Sequence, residues 1–120
     1  MTAEIKRVIE AIVQIPHDFH TLKNKSKITL LKESGYYDFY EQITVDEIVE
    51  ILKEKPHIIP EWLQWSEEQR CTPTTYFTKG EEWCFIGHIP YDKDFKEINT
   101  KDVFFACASF VKLQVEQTRK

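Results

Sequence analysis

The chain has 120 residues, 42% of them hydrophobic, 13% aromatic and 30% charged, with only 3 Gly and 5 Pro. That is the size and stock of one compact domain over residues 1–120, and it argues against a linker-rich or low-complexity chain. The formal charge of −4 counts against a general nucleic-acid binder, and no apolar run nears the roughly 18–20 residues of a membrane span.

The charge is unevenly spread. Residues 1–35 carry six Lys/Arg against four acids, and residues 70–120 carry eight bases against seven acids. Residues 36–69 carry nine acids against Lys53 and Lys55 alone, a net −7. The chain is therefore nearly balanced at both ends and strongly acidic in the middle. Glu4, Lys6 and Arg7 break the first apolar residues too early for a signal peptide. Cys71, Cys84 and Cys107 are widely spaced and form no CxxC pair, which disfavours a zinc ribbon or a thioredoxin-type motif. Without an export signal they predict a reduced, cytoplasmic protein.

Thr2 is placed to cap a first helix, whose stripe is Ile5, Val8, Ile9, Ile12 and Val13. Pro16 is expected to end it by restricting Ile15 and removing a donor, and residues 17–25 read as a polar loop. Ser26 is placed to cap a short helix through Ser34, and Gly35 sits where a helix end wants positive φ. Tyr36, Tyr37, Phe39 and Tyr40 form an aromatic knot of ambiguous local structure. Thr44 and Glu47 match the capping box of a helix that carries Val45, Ile48, Val49 and Leu52 inward. Pro56 breaks that helix. Pro60 starts another, with Trp62, Leu63 and Trp65, running to about Arg70.

The pattern then turns to β-branched and aromatic residues. Residues 73–78 and 83–90 predict a hairpin around Lys79-Gly80-Glu81-Glu82, and residues 94–98 a third short strand. Asn99 or Thr100 is expected to cap the final helix, with Asp102 near its positive end. The order predicts an α+β fold: N-terminal helices, a two- or three-stranded antiparallel meander, and a C-terminal helix packed on the sheet.

Few residues point to chemistry. His17 and His20 flank Asp18; on a helix that spacing puts both imidazoles on one side, which a metal could use, yet no nearby Cys or Glu supplies a third ligand. No metal or other cofactor is expected. Cys84 and His88 would share a strand face about 13 Å apart, too far for one to activate the other. A Cys-His nucleophile would need Cys84 or Cys71 paired with another histidine across the fold, and Cys107 belongs to an apolar helix face. Gly35, Gly80 and Gly87 are isolated, so no phosphate-binding glycine loop exists. No GxSxG, HExxH or EF-hand pattern is present either. Neighbouring carboxylates such as Glu67-Glu68, Glu81-Glu82 and Asp46-Glu47 read as solvated faces, because acid–base work needs carboxylates gathered in a cleft. A helix-turn-helix reading of residues 27–55 fails on charge, since the recognition helix would present Asp46, Glu47 and Glu50 to phosphates. The lysines at 23, 25 and 27 are the one basic cluster and read as a solvated loop.

The acidic third also holds large aromatics. Tyr and Trp anchor interfaces by joining apolar area to a polar handle. Tyr36, Tyr37, Tyr40, Trp62 and Trp65, together with Asp46, Glu47, Glu50 and Glu54, are accordingly the candidate partner-binding residues.

The stretch Pro60–Ile89, with Pro-Glu-Trp-Leu, Trp-Ser-Glu-Glu-Gln-Arg, Tyr-Phe and Trp-Cys-Phe-Ile-Gly, resembles small bacterial domains of uncharacterised function, some of them associated with polymorphic toxins. The resemblance carries no catalytic motif and assigns no residue a role. It implies an immunity-type protein. The expectation is thus a non-enzymatic acidic protein-binding module, of the immunity or antitoxin type, that neutralises a basic toxin by electrostatic steering and polyanion mimicry. The partner would be a protein, with no nucleic acid and no membrane. The alternative is a small enzyme or ligand-binding domain with a pocket near the 73–90 hairpin, lined by Tyr76, Cys84 and His88.

Overall fold

A computed structural model describes residues 2–21, 24–68, 75–88 and 96–119. Helix α1 spans Ala3–Val13, with Thr2 Oγ1 accepting the Ile5 N–H at 3.2 Å as its N-cap. All five residues of its predicted stripe are buried. Of residues 17–25, expected as a loop, residues 17–21 instead belong to a second helix, α2 (Ile15–Thr21); residues 24 and 25 are non-helical, and residues 22 and 23 lie outside the described residues. Pro16 stops α1 and also starts α2, because in a first turn its missing N–H has no intrahelical partner to lose. Asp18 in that turn suits the positive end of the helix.

Helix α3 (Lys27–Ser34) is capped by Ser26, whose Oγ accepts the Thr29 N–H at 3.1 Å. It ends at Gly35 with φ +87°, and a Cβ there would also press on Val8 Cγ2 at 3.4 Å. The aromatic knot resolves into one helical turn, α4 (Tyr36–Phe39). Helix α5 (Val45–Glu54) has the complete Thr44–Glu47 capping box. A 3-10 turn at Pro56–Ile58 leads into α6 (Ile59–Glu68), so Pro60 again lies in a first turn.

Three strands follow: β1 (Thr75–Lys79), β2 (Cys84–His88) and β3 (Lys96–Thr100). They form an antiparallel meander in the order β1-β2-β3. Pro73 and Thr74, Ile89 and Pro90, and residues 94 and 95 lie outside the described residues. Trp83, expected in the second strand, belongs to the turn. Asn99 and Thr100 are strand residues rather than helix caps, because they pair with Phe85 and Cys84. The cap falls to Asp102, whose Oδ1 accepts the N–H groups of Phe104 and Phe105 at 2.9 and 3.2 Å. Helix α7 (Val103–Arg119) closes the described chain.

The expected α+β architecture is what the protein adopts. α7 lies between the sheet and the N-terminal helices, touching all three strands on one side and α5, α3 and α1 on the other. This is why Ala106, Cys107, Ala108, Phe110 and Val111 are all fully buried, and why small residues are needed where two layers meet one helix. Phe77, Cys84 and Ile86 face it from the sheet. A chain of rings links the layers: Trp65 to Trp62 at 6.3 Å, Trp62 to Phe110 at 6.0 Å, Phe110 to Phe77 at 5.6 Å. Among the described residues every buried side-chain nitrogen or oxygen has a hydrogen-bond partner.

Candidate functional site: the acidic face of α5

Helix α5 buries Ile48, Ile51 and Leu52 and packs on α1 and α7. Its other side presents Asp46, Glu50 and Glu54, all exposed. Residues four apart rise about 6 Å along a helix and face the same way. The three carboxylates therefore make a stripe at a regular repeat. Each like-charged neighbour costs the helix roughly 0.2–0.5 kcal/mol. Glu54 lies 3.7 Å from Lys6 of α1, an exposed pair of small worth. Asp46 and Glu50 have no ion-pair partner among the described residues.

Glu47 differs from its neighbours. Its Oε1 accepts the Thr44 N–H at 3.3 Å and the Thr44 hydroxyl at 3.1 Å. Its carboxylate thus serves the helix start and is less free to meet a partner. Beside the α5 entry, Tyr37 and Tyr40 are half-buried. The Tyr40 hydroxyl donates to Glu41 at 3.2 Å, and the Arg119 guanidinium lies 3.9 Å from the centre of its ring. Asp38, Phe39, Tyr40, Glu41 and Gln42 line an open groove of about 170 Å³ there.

The other three candidate rings are interior. Trp62 is 1% exposed, Trp65 3% and Tyr36 0%, so they offer no anchor to a partner and are removed from the candidate surface. The physical reason is that each carries a polar handle that the fold satisfies internally. Trp62 Nε1 donates to the Val13 carbonyl at 2.9 Å, taking up an orphan acceptor at the end of α1. Trp65 Nε1 donates to Gln114 Oε1 at 3.4 Å. Tyr36 donates to Glu116 Oε2 at 2.9 Å and accepts from Lys112 Nζ at 2.8 Å.

Tyr36 thus belongs to a network that sequence reading missed. Lys112 also donates to the Tyr40 carbonyl at 2.8 Å, and Arg119 Nε donates to Glu116 at 2.7 Å. Burial and the Glu116 carboxylate push the Tyr36 hydroxyl far up. Burial lowers Lys112, with Glu116 opposing. Burial alone would raise Glu116, but hydrogen bonds from Arg119 and Tyr36 and the charge of Lys112 hold it below the ordinary carboxylate value. The signal was present: Lys112, Glu116 and Arg119 recur at four and three residues along one helix face.

The remaining candidates separate. His17 and His20 do share a helix, α2, but are engaged apart. His17 Nδ1 lies 3.1 Å from Glu61 Oε1, whereas the His20 ring stands edge-on to Phe19 and Trp65. Among the described residues no group of three His, Cys, Asp or Glu is placed to hold a metal. Cys84 is 3% exposed, and burial raises its thiol despite Lys79; Cys107 is raised more, also by burial. Neither is poised as a thiolate nucleophile. Cys71 and the side chains of Tyr76 and His88 lie outside the described residues. Among the described residues no helix is long and apolar enough to cross a membrane. No protein-family model matches the chain, and neither a curated protein nor a solved structure does.

Proposed function

We propose that the protein is a non-enzymatic binding module whose α5 face docks a basic surface of another protein, as an immunity or antitoxin protein docks its toxin. One observation supports this above the others: Asp46 and Glu50 stand exposed on one helix face, without an ion-pair partner among the described residues. Such a stripe weakens its own helix while steering a cationic partner inward. Glu54, Glu41 and the half-buried Tyr37 and Tyr40 would form its surround. The likeness of Pro60–Ile89 to toxin-associated domains agrees with this reading, and free, buried Cys84 and Cys107 suit a reducing cytoplasm.

The test is capture of partners at low and moderate salt, followed by reconstitution with the purified partner. A basic protein should bind, with association slowing as salt rises. The double charge reversal Asp46→Lys, Glu50→Lys should weaken binding by at least about tenfold. Recovery of no basic partner, or binding indifferent to that reversal, overturns the proposal.

A further inference from the structure

The two edges of the sheet are treated differently by the fold. The Gly80 N–H donates to the Trp83 carbonyl at 2.8 Å. That fixes the alternation along the hairpin, directing the backbone groups of Thr78 toward β2 and those of Phe77 outward. On this edge α6 packs against β1, and the outward Phe77 N–H donates to Ser66 Oγ at 2.7 Å.

Carried across β2, the same alternation pairs Ile86 with Ile98 and Cys84 with Thr100 through hydrogen bonds. The backbone N–H and C=O groups of Glu97 and Asn99 therefore face away from the sheet. Among the described residues no hydrogen bond reaches them. The described strand holds no proline, and its register with β2 is unbroken. Between these groups Ile98 is 47% exposed, although Ile86 directly opposite is 1% exposed. An open, regular edge beside an exposed apolar residue is a template for another strand.

We propose that β3 pairs with the β3 of a second copy, antiparallel about a two-fold axis through Ile98. The result is a six-stranded sheet with both α7 helices on one face. Register selects this centre. A two-fold at Ile98 sets Glu97 opposite Asn99 twice, using every outward group within the strand, and places Ile98 against Ile98. A two-fold at Glu97 would carry Asn99 to residue 95, before the start of β3. One at Asn99 would carry Glu97 to Lys101, past the end of β3. The contact is isologous and closes on itself, giving a dimer rather than a fibre. It is small, so the dimer is weak and concentration-dependent. It uses none of the α5 acids.

Sedimentation velocity on the full chain, from micromolar to millimolar protein, tests this. The mass should rise from the 14.3 kDa monomer toward twice that value. Asn99→Pro removes an outward donor at an edge position that tolerates proline, and Ile98→Lys puts charge against charge at the axis. Each should leave the protein monomeric throughout with an unchanged far-ultraviolet circular dichroism spectrum. If Asn99→Pro unfolds, Ile98→Lys decides alone. A wild-type chain that stays at 14.3 kDa, or a dimer that survives substitution in folded protein, overturns the proposal. Either result leaves the α5 reading standing, because that reading is tested by charge reversal on another face.

Discussion

Tyr36 shows how one hydroxyl joins elements far apart in sequence. It accepts from Lys112 and donates to Glu116, so α4 is fastened to α7 by a single oxygen. Tyr36→Phe leaves the ring packing intact and strips both partners. Lys112 keeps the Tyr40 carbonyl and Glu116 keeps Arg119, so the loss should be about 1–2 kcal/mol in urea unfolding rather than collapse of the fold. The same network sets a pH dependence. Glu116 is held below its ordinary value of 4.5 in the folded chain. As pH falls the unfolded state takes up that proton first, so the stability Glu116 contributes is complete above about pH 4.5 and drains away below it. Unfolding curves of the wild type and Glu116→Gln should therefore converge as pH drops through that range. A gap that stays constant into acid would contradict the network. The histidines and cysteines behaved otherwise. Spacing alone could pair His17 with His20, but only the tertiary fold sends one to Glu61 and the other to Trp65.

Among the elements, α5 is strong at its start and strained along its outer face. Thr44→Ala removes the cap and should cost about 1 kcal/mol, read as a lower denaturation midpoint. Glu50→Lys should do the reverse. It turns three like-charged neighbours, Asp46, Glu47 and Glu54, into attractive ones, against the loss of attraction to Lys53 and a new repulsion there, for a net gain of a few tenths of a kcal/mol. A helix that gains stability while its protein loses partner affinity would be the mark of an acid kept for contact. Element existence was largely legible from sequence, because caps and breakers act locally. Ser26, Gly35, Thr44 with Glu47, and Pro60 all sit where their chemistry placed them. Errors came where one residue has two roles. Pro16 ends one helix and begins the next. Thr100 has capping chemistry, but its ladder partner Cys84 holds it in a strand and leaves the cap to Asp102.

At the scale of the molecule, the acidic segment divides by burial rather than by position. Asp46, Glu50 and Glu54 lie outside while Trp62, Trp65 and Tyr36 line the core. Sequence placed rings and acids together but could not tell the two sides apart. A ring's exposure depends on what α7 brings opposite it, and Gln114, the α7 partner of Trp65, lies 49 residues further along the chain. The visible half of the candidate site was the charge, which solvation keeps outside. The hidden half was the aromatic anchor, which packing decides.

The placement of α7 between both layers has a consequence for how the protein forms. Helix α7, which follows all three strands in chain order, is the shared wall of the sheet and of the helical layer. Neither layer can finish burying its apolar side until that helix is in place, so folding of both layers waits for α7. A chain cut after Thr100 should keep helical circular dichroism from α1, α3 and α5, yet bind a hydrophobic dye and melt without a sharp transition. Intermediate exposure of that kind is brief in a chain that includes α7 and permanent in one that lacks it. Premature termination therefore produces a sticky, protease-sensitive fragment rather than a smaller working module.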